Sequence, residues 1–198
     1  MKNLKDFNLA TSNAVKIQQY HDFGLSECKS KEVDDVPEPF TDILNVALYK
    51  AQQAGAFTIV EDTALDVEGE DIGVCIKYLE HTLDQYDGKR AKFQVALGVN
   101  DGEKVDVYYA ETPGIIVKNK FSDAYGFDGN FIPDGEILTI HELLKNNEGF
   151  RISTRRKAVE ELLKDNIALT GSAKKVVWNG EFQEEYLSNR NLVDMIKL

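Results

Sequence analysis

The sequence predicts an α/β fold, a long, twisted mixed sheet flanked by helices, on three observations. An apolar run at residues 7–11 passes through Ser12-Asn13 straight into a helix-compatible segment from 14 to about 23, a strand, tight turn and helix. Between Asp42 and Ala54, Ile43, Leu44, Ala47, Leu48, Ala51 and Ala54 recur at three- and four-residue steps, lining one stripe of a helix. Two apolar runs, 91–99 and 104–110, are separated by Asn100-Asp101-Gly102, residues suited to the positive φ of a hairpin turn, so they pair antiparallel.

The elements follow in chain order. Asn13 can cap the first helix, and Lys16 projects from its first turn, where free backbone N–H groups favour an anion. A polar strand is expected over 27–33. In the loop that follows, Pro37 and Pro39 forbid regular pairing and hold Glu38 stiffly. Gly55 ends the second helix, and 56–60 reads as a strand buried on both faces, with Glu61-Asp62 directly at its end. Two carboxylates there are costly unless paired, hydrated or bound to a metal, and ligands sit at strand ends in α/β sheets. A further strand is expected over 114–118. Residues 125–135 combine three aromatics, three glycines and two aspartates, a composition for a loop, ordered or disordered. Helices follow near 140–145 and, capped by Ser153 or Thr154, to about 163. A short strand over 175–178 and a helix from about 181 to 196 end the chain.

Composition excludes several function classes. With 42% hydrophobic and 29% charged residues among 198, a core is available. Lys and Arg total 23 against 34 Asp and Glu, so the net charge of −11 repels a polyphosphate backbone and argues against nucleic acid as partner. An acidic chain suits a divalent metal, and an anionic ligand needs a few cations to reverse the field locally. Cys28 and Cys75 form no Cys-x-x-Cys pair, and His21, His81 and His141 have no ligand spacing. No run reaches the roughly 18 apolar residues of a membrane span, and the first residues lack a signal-peptide core, so a cytoplasmic protein with no membrane partner is expected. No serine stands in a nucleophile elbow.

In chain order the sequence carries Thr11-Ser12-Asn13-x-x-Lys16, Glu38, Lys50, Glu61-Asp62-Thr63-x-Leu65, Tyr125-Gly126-Phe127-Asp128 and Ser153-x-Arg155-x-Lys157-Ala158. Together these motifs resemble the inosine triphosphate pyrophosphatase family over residues 6–164. Those enzymes hydrolyse nucleoside triphosphates to monophosphate and pyrophosphate, preferring deaminated purines. The resemblance implies two lobes around a cleft, a pyrophosphatase domain over 1–164 and a homodimer; the extension at 165–198 runs beyond the family's usual end and is expected, without that analogy, to pack on the same domain. It places triphosphate contacts at Thr11, Ser12, Asn13, Lys16 and Lys50, metal ligands at Glu38, Glu61 and Asp62, and activation of water at Asp62. Further substrate contacts fall on Gly73, Tyr125, Gly126, Phe127, Asp128, Thr154 and Arg155, with Phe127 stacking on the base and Arg155 helping to read it. The implied cofactor is Mg²⁺, with Mn²⁺ as substitute; Mg²⁺ needs only one or two carboxylates beside phosphate oxygens. Several positions depart from the pattern: Thr154 replaces a histidine, Ile72 a proline, Ala64 a glycine, and Gly149 stands where a base-contacting lysine is usual. Arg151 is the expected stand-in for that lysine. Retargeting to another modified nucleotide, such as a pyrimidine triphosphate, is the alternative, and a silent nucleotide sensor is a third reading.

Overall fold

The computed structural model describes residues 4–34 and 36–190. Seven strands form one open mixed sheet. β1 (Asn8–Ala10) lies between β2 (Lys29–Lys31) and β3 (Thr58–Val67), parallel to both. β4 (Arg90–Asn100) and β5 (Lys104–Ile116) continue the sheet antiparallel. The far side of β5 is shared by β6 (Phe131–Pro133) at one end and β7 (Leu169–Ser172) at the other.

Helices cover both faces. α1 (Ala14–Tyr20) and α6 (Thr154–Lys164) pack Tyr20, Val159 and Leu162 on Ile59, Val95, Leu97 and Val99. On the opposite face, α2 (Ile43–Ala54), α3 (Ile76–Leu79) and α7 (Gln183–Asn189) bury Val46, Ala47, Ile76 and Tyr186 with Val60, Ala64 and Ala96. Alternation along each strand feeds the two cores from one sheet. Gly98 lets α2 approach closely: a Cβ there would stand 2.5 Å from the Ala47 carbonyl oxygen. α4 (Ile140–Lys145) and α5 (Gly149–Ile152) close one end.

Four expectations are corrected. β3 runs on to Val67, because β4 pairs it throughout; Glu61 faces Leu97 and Asp62 faces Ala96 in the register, so the two carboxylates lie within the strand. The strands expected at 104–110 and 114–118 are one, with Pro113 falling between the stretches that β7 and β6 pair. Part of the glycine- and aromatic-rich segment is ordered as β6. The late strand lies at Leu169–Ser172; 175–178 is irregular, and Val177 is exposed. The last helix is described as far as Asn189, and the remainder of the expected span to 196 lies almost wholly outside the described residues.

Candidate active site

Neighbouring residues of a strand point to opposite faces, and β3 uses this to give Glu61 and Asp62 different surroundings. Glu61 looks toward α1 and α6. It accepts from Arg155 Nε at 2.5 Å and Nη2 at 2.9 Å, meets Lys16 Nζ at 3.0 Å, and takes a short hydrogen bond from the Tyr20 hydroxyl. Burial alone would raise its pKa, but Arg155, Lys16 and the tyrosine hold it well below the usual carboxylate range.

Asp62 looks toward α2 and is 5% exposed. Its Oδ1 accepts from Lys50 Nζ at 2.9 Å, while its Oδ2 is buried without a hydrogen-bond partner. Burial pushes this carboxyl up to about 6; Lys50 opposes the rise, and the charges of Glu38 and Glu61 add to it. Lys50 also donates to Glu38 Oε1 at 2.7 Å and to the Glu61 carbonyl at 3.1 Å. Burial disfavours the Lys50 ammonium, yet Asp62 and Glu38 keep it charged. Lys77 Nζ meets Glu38 Oε2 at 2.8 Å. Burial raises the Glu38 pKa, and the two lysines outweigh it.

The structure therefore joins Glu38 and Asp62 through Lys50 and turns Glu61 to the other face. Among the described residues, no three His, Cys, Asp or Glu side chains gather as a metal cage. The expected trio becomes a pair of carboxylates, with one buried oxygen unpartnered. That donor set fits a hard divalent ion completed by water and phosphate oxygens.

The turn before α1 is built as its residue types require. Thr11 Oγ1 accepts from the Asn13 amide at 3.2 Å, and Asn13 Oδ1 caps the helix by accepting from Val15 N and Lys16 N. Asn13, Lys16, Glu38, Lys50, Glu61 and Asp62 line one end of a cleft of about 660 Å³, a volume suited to a small-molecule ligand. Thr11 and Ser12 are not among the residues that line it.

Tyr125, Gly126, Phe127 and Asp128 line the other end. Phe127 is buried and meets Phe93 edge to face at 4.9 Å, whereas the Tyr125 ring is exposed. Gly126 has φ +52°, which favours glycine. Burial pushes the Asp128 carboxyl up to about 6, with Arg155 opposing and Glu80 adding. Of the other expected substrate contacts, Thr154 and Arg155 line the cleft and Gly73 does not. Gly73 lies off the cleft in the turn whose carbonyl accepts from Leu65 N. Thr154, 1% exposed, donates its hydroxyl to Thr112 Oγ1 at 2.8 Å. Arg155 is committed to Glu61 and to Gln19 Oε1. Arg151 does not replace the missing lysine: it lies on α5 rather than an extended segment, and its guanidinium pairs with Glu136 and Glu148.

Sequence reasoning missed Tyr20, Gln19 and Lys77. Gln19 and Tyr20 follow Lys16 by three and four residues, so a helical projection brings all three together. Lys77 had no local signal, because only the path of 68–76 brings α3 beside Glu38.

The comparisons with known proteins bear on the fold and the family. A HAM1 protein from Coxiella burnetii matches with a TM-score of 0.64 at 18% identity, covering 81% of this chain and 97% of its own. A Mycobacterium abscessus structure described as a nucleoside-triphosphatase / dITP/XTP pyrophosphatase matches with a TM-score of 0.55 at 23% identity, covering 79% and 98%. Both establish the shared fold. A sequence model of the Ham1 family matches residues 7–165, almost the span that carries the motifs, and the chain belongs to that family.

Proposed function

We propose that the protein is a Mg²⁺-dependent nucleoside triphosphate pyrophosphatase that forms monophosphate and pyrophosphate, working as a cytoplasmic homodimer to cleanse the nucleotide pool. Mn²⁺ is the expected substitute ion. The carrying observation is Asp62, a buried carboxylate with one oxygen unpartnered and the other on Lys50, beside Glu38. The name of the Mycobacterium abscessus neighbour supports the same chemistry.

Glu38 and Asp62 would hold the ion, which when bound neutralises charge on the triphosphate. Lys16 and Lys50 meet the phosphate chain, and Asp62 orients a water and takes its proton as the water oxygen attacks the α-phosphorus. The bond to the bridging oxygen breaks and pyrophosphate leaves, its charge met by the two lysines. Positioned charge in the cleft supplies most of the acceleration. Glu61, already answered by Arg155 and Lys16, orients those cations.

Deaminated purines, inosine and xanthosine triphosphates and their deoxy forms, are the favoured substrates by family. A second reading has its own observation: Gly149 offers no cation, Thr154 turns to Thr112, and Arg155 is committed to Glu61, while Asp128 borders the cleft. A carboxylate accepts from a base bearing N–H donors, so another nucleotide with an exocyclic amine fits that end. Pyrophosphate release with and without Mg²⁺, across deaminated purine, standard deoxynucleoside and modified pyrimidine triphosphates, tests both. Mg²⁺-dependent release is expected; nucleotide binding by calorimetry without release would make the protein a sensor.

A further inference from the structure

The stiff loop that carries Glu38 cannot secure itself in the sheet. Pro37 and Pro39 have no N–H to donate, and the nearest strand, β2, pairs with β1 alone over three residues. The missing partners come from the end of the chain, beyond the residues that match the family. Gln183 N donates to the Glu38 carbonyl at 2.9 Å, Phe40 N donates to the Glu181 carbonyl at 2.9 Å, and the buried Gln183 side chain donates to the Pro39 carbonyl at 3.3 Å. Phe40 stacks on Tyr186 with centroids 3.3 Å apart. Tyr186 is fully enclosed and donates its hydroxyl to Asp71 at 2.9 Å, and Tyr78, next to Lys77, donates to Glu184 at 3.0 Å. A short antiparallel bridge thus encloses the backbone of Glu38 on one side while Lys50 and Lys77 hold its carboxylate on the other.

The same segment crosses α2 before it reaches the loop. β7 lies so close that a Cβ on Gly171 would meet Leu48 Cδ1 at 2.7 Å. Gln52 donates to the Ser172 carbonyl at 2.8 Å and Gln53 to the Val176 carbonyl at 2.9 Å, and Trp178 meets Tyr49 edge to face. α2 carries Lys50. One continuous stretch therefore fastens both the helix of Lys50 and the loop of Glu38, the two elements whose side chains meet at 2.7 Å beside Asp62.

We infer that residues 169–187 form a strap that positions Glu38 against Lys50 and Asp62 and thereby sets the protein's affinity for its divalent ion. This rests on the reading that Glu38 and Asp62 hold that ion. Gln183 and Tyr186 are positioning residues: they touch the Glu38 loop and not the substrate. Partners one step removed from a metal ligand commonly alter metal affinity by about 10–100-fold.

The test compares the full-length protein with Gln183→Ala, Tyr186→Ala, Tyr186→Phe and Leu162→Ala, the last a cavity in the opposite core that matches the loss of Tm. Two readouts are taken: hydrogen exchange at the Phe40 amide, and Mn²⁺ binding followed by electron paramagnetic resonance beside a non-hydrolysable triphosphate analogue. Tyr186→Ala and Gln183→Ala should speed Phe40 exchange and raise the Mn²⁺ Kd about 10-fold. Tyr186→Phe, which keeps the stacked ring, should restore most of the affinity, and Leu162→Ala should leave it unchanged. Unchanged Phe40 exchange overturns the strap, as does faster exchange with an unaltered Kd or an equal loss of affinity in Leu162→Ala. A wild-type protein that binds no Mn²⁺ overturns the metal reading itself, a result distinct from failure of the strap, which leaves wild-type binding intact.

Discussion

Glu61 and Asp62 are adjacent in sequence, equally deep in one strand, and opposite in chemistry. Glu61 is met by Arg155, Lys16 and Tyr20 and stays ionised far into acid. Asp62 shares one lysine with Glu38, leaves an oxygen unpartnered, and holds its proton up to about 6. Burial is common to both; the number of cations each receives is not. A carboxylate with its charge fully answered is a structural anchor, whereas one left short of partners is available for an ion, a water or a proton.

The largest effect should fall on the under-partnered member. Asp62→Asn keeps the shape and removes the charge, so kcat should drop by about 10³-fold or more, while circular dichroism and Tm stay near wild type. A variant within ten-fold of wild-type kcat would erase the distinction between the two carboxylates.

On the other face the damage should appear in stability. Arg155→Ala leaves Glu61 buried with Lys16 as its remaining cation, and urea unfolding at pH 7 should show a loss of about 3 kcal/mol. A loss below about 1 kcal/mol would mean that water or Lys16 compensates fully.

A smaller, pH-dependent effect should mark the far end of the cleft. The folded pKa of Asp128 is raised to about 6 by burial, against about 3.9 in an unfolded chain. The folded state thus binds the proton more tightly, a contribution present below pH 4 and lost as pH rises through 6. Asp128→Asn should therefore raise stability at pH 8 by up to about 3 kcal/mol and change little at pH 4. Equal effects at both pH values would contradict this. Least of all is expected from Arg151→Ala. Its guanidinium is exposed and its partner Glu148 largely so, so stability should move by less than about 1 kcal/mol and KM for purine triphosphates should stay unchanged; a raised KM would return this arginine to the base site.

Much of this was legible before folding because it depends on local rules. Apolar spacing placed α2 to within a residue, Asn13 announced its cap, and the pair Pro37 and Pro39 marked the stiff loop around Glu38. The order of motifs identified the family and pointed to Lys16, Lys50, Glu38, Glu61 and Asp62, which line the cleft, but not to Lys77 beside them. The polar half of β3 was not legible. Charged residues read as the end of a strand unless a partner strand and helices on both faces pair and enclose them, and those partners are distant in sequence. The late strand was misplaced because Val176 and Val177 carry β-propensity that nothing in the fold uses, while Leu169–Ser172 gained its pairing from β5.

The sequence by itself determined which chemical groups this protein has and the order in which they meet, since hydropathy period, turn residues and motif spacing are properties of neighbours. Only the tertiary structure decided what each group does. Strand alternation turned Glu61 and Asp62 to opposite faces, and long-range packing gave one of them two cations and the other a shared lysine. A chain end far from the motifs came to brace Glu38. Ionisation and coordination depend on distances of a few ångströms, and those distances exist only once residues far apart in the chain are brought together.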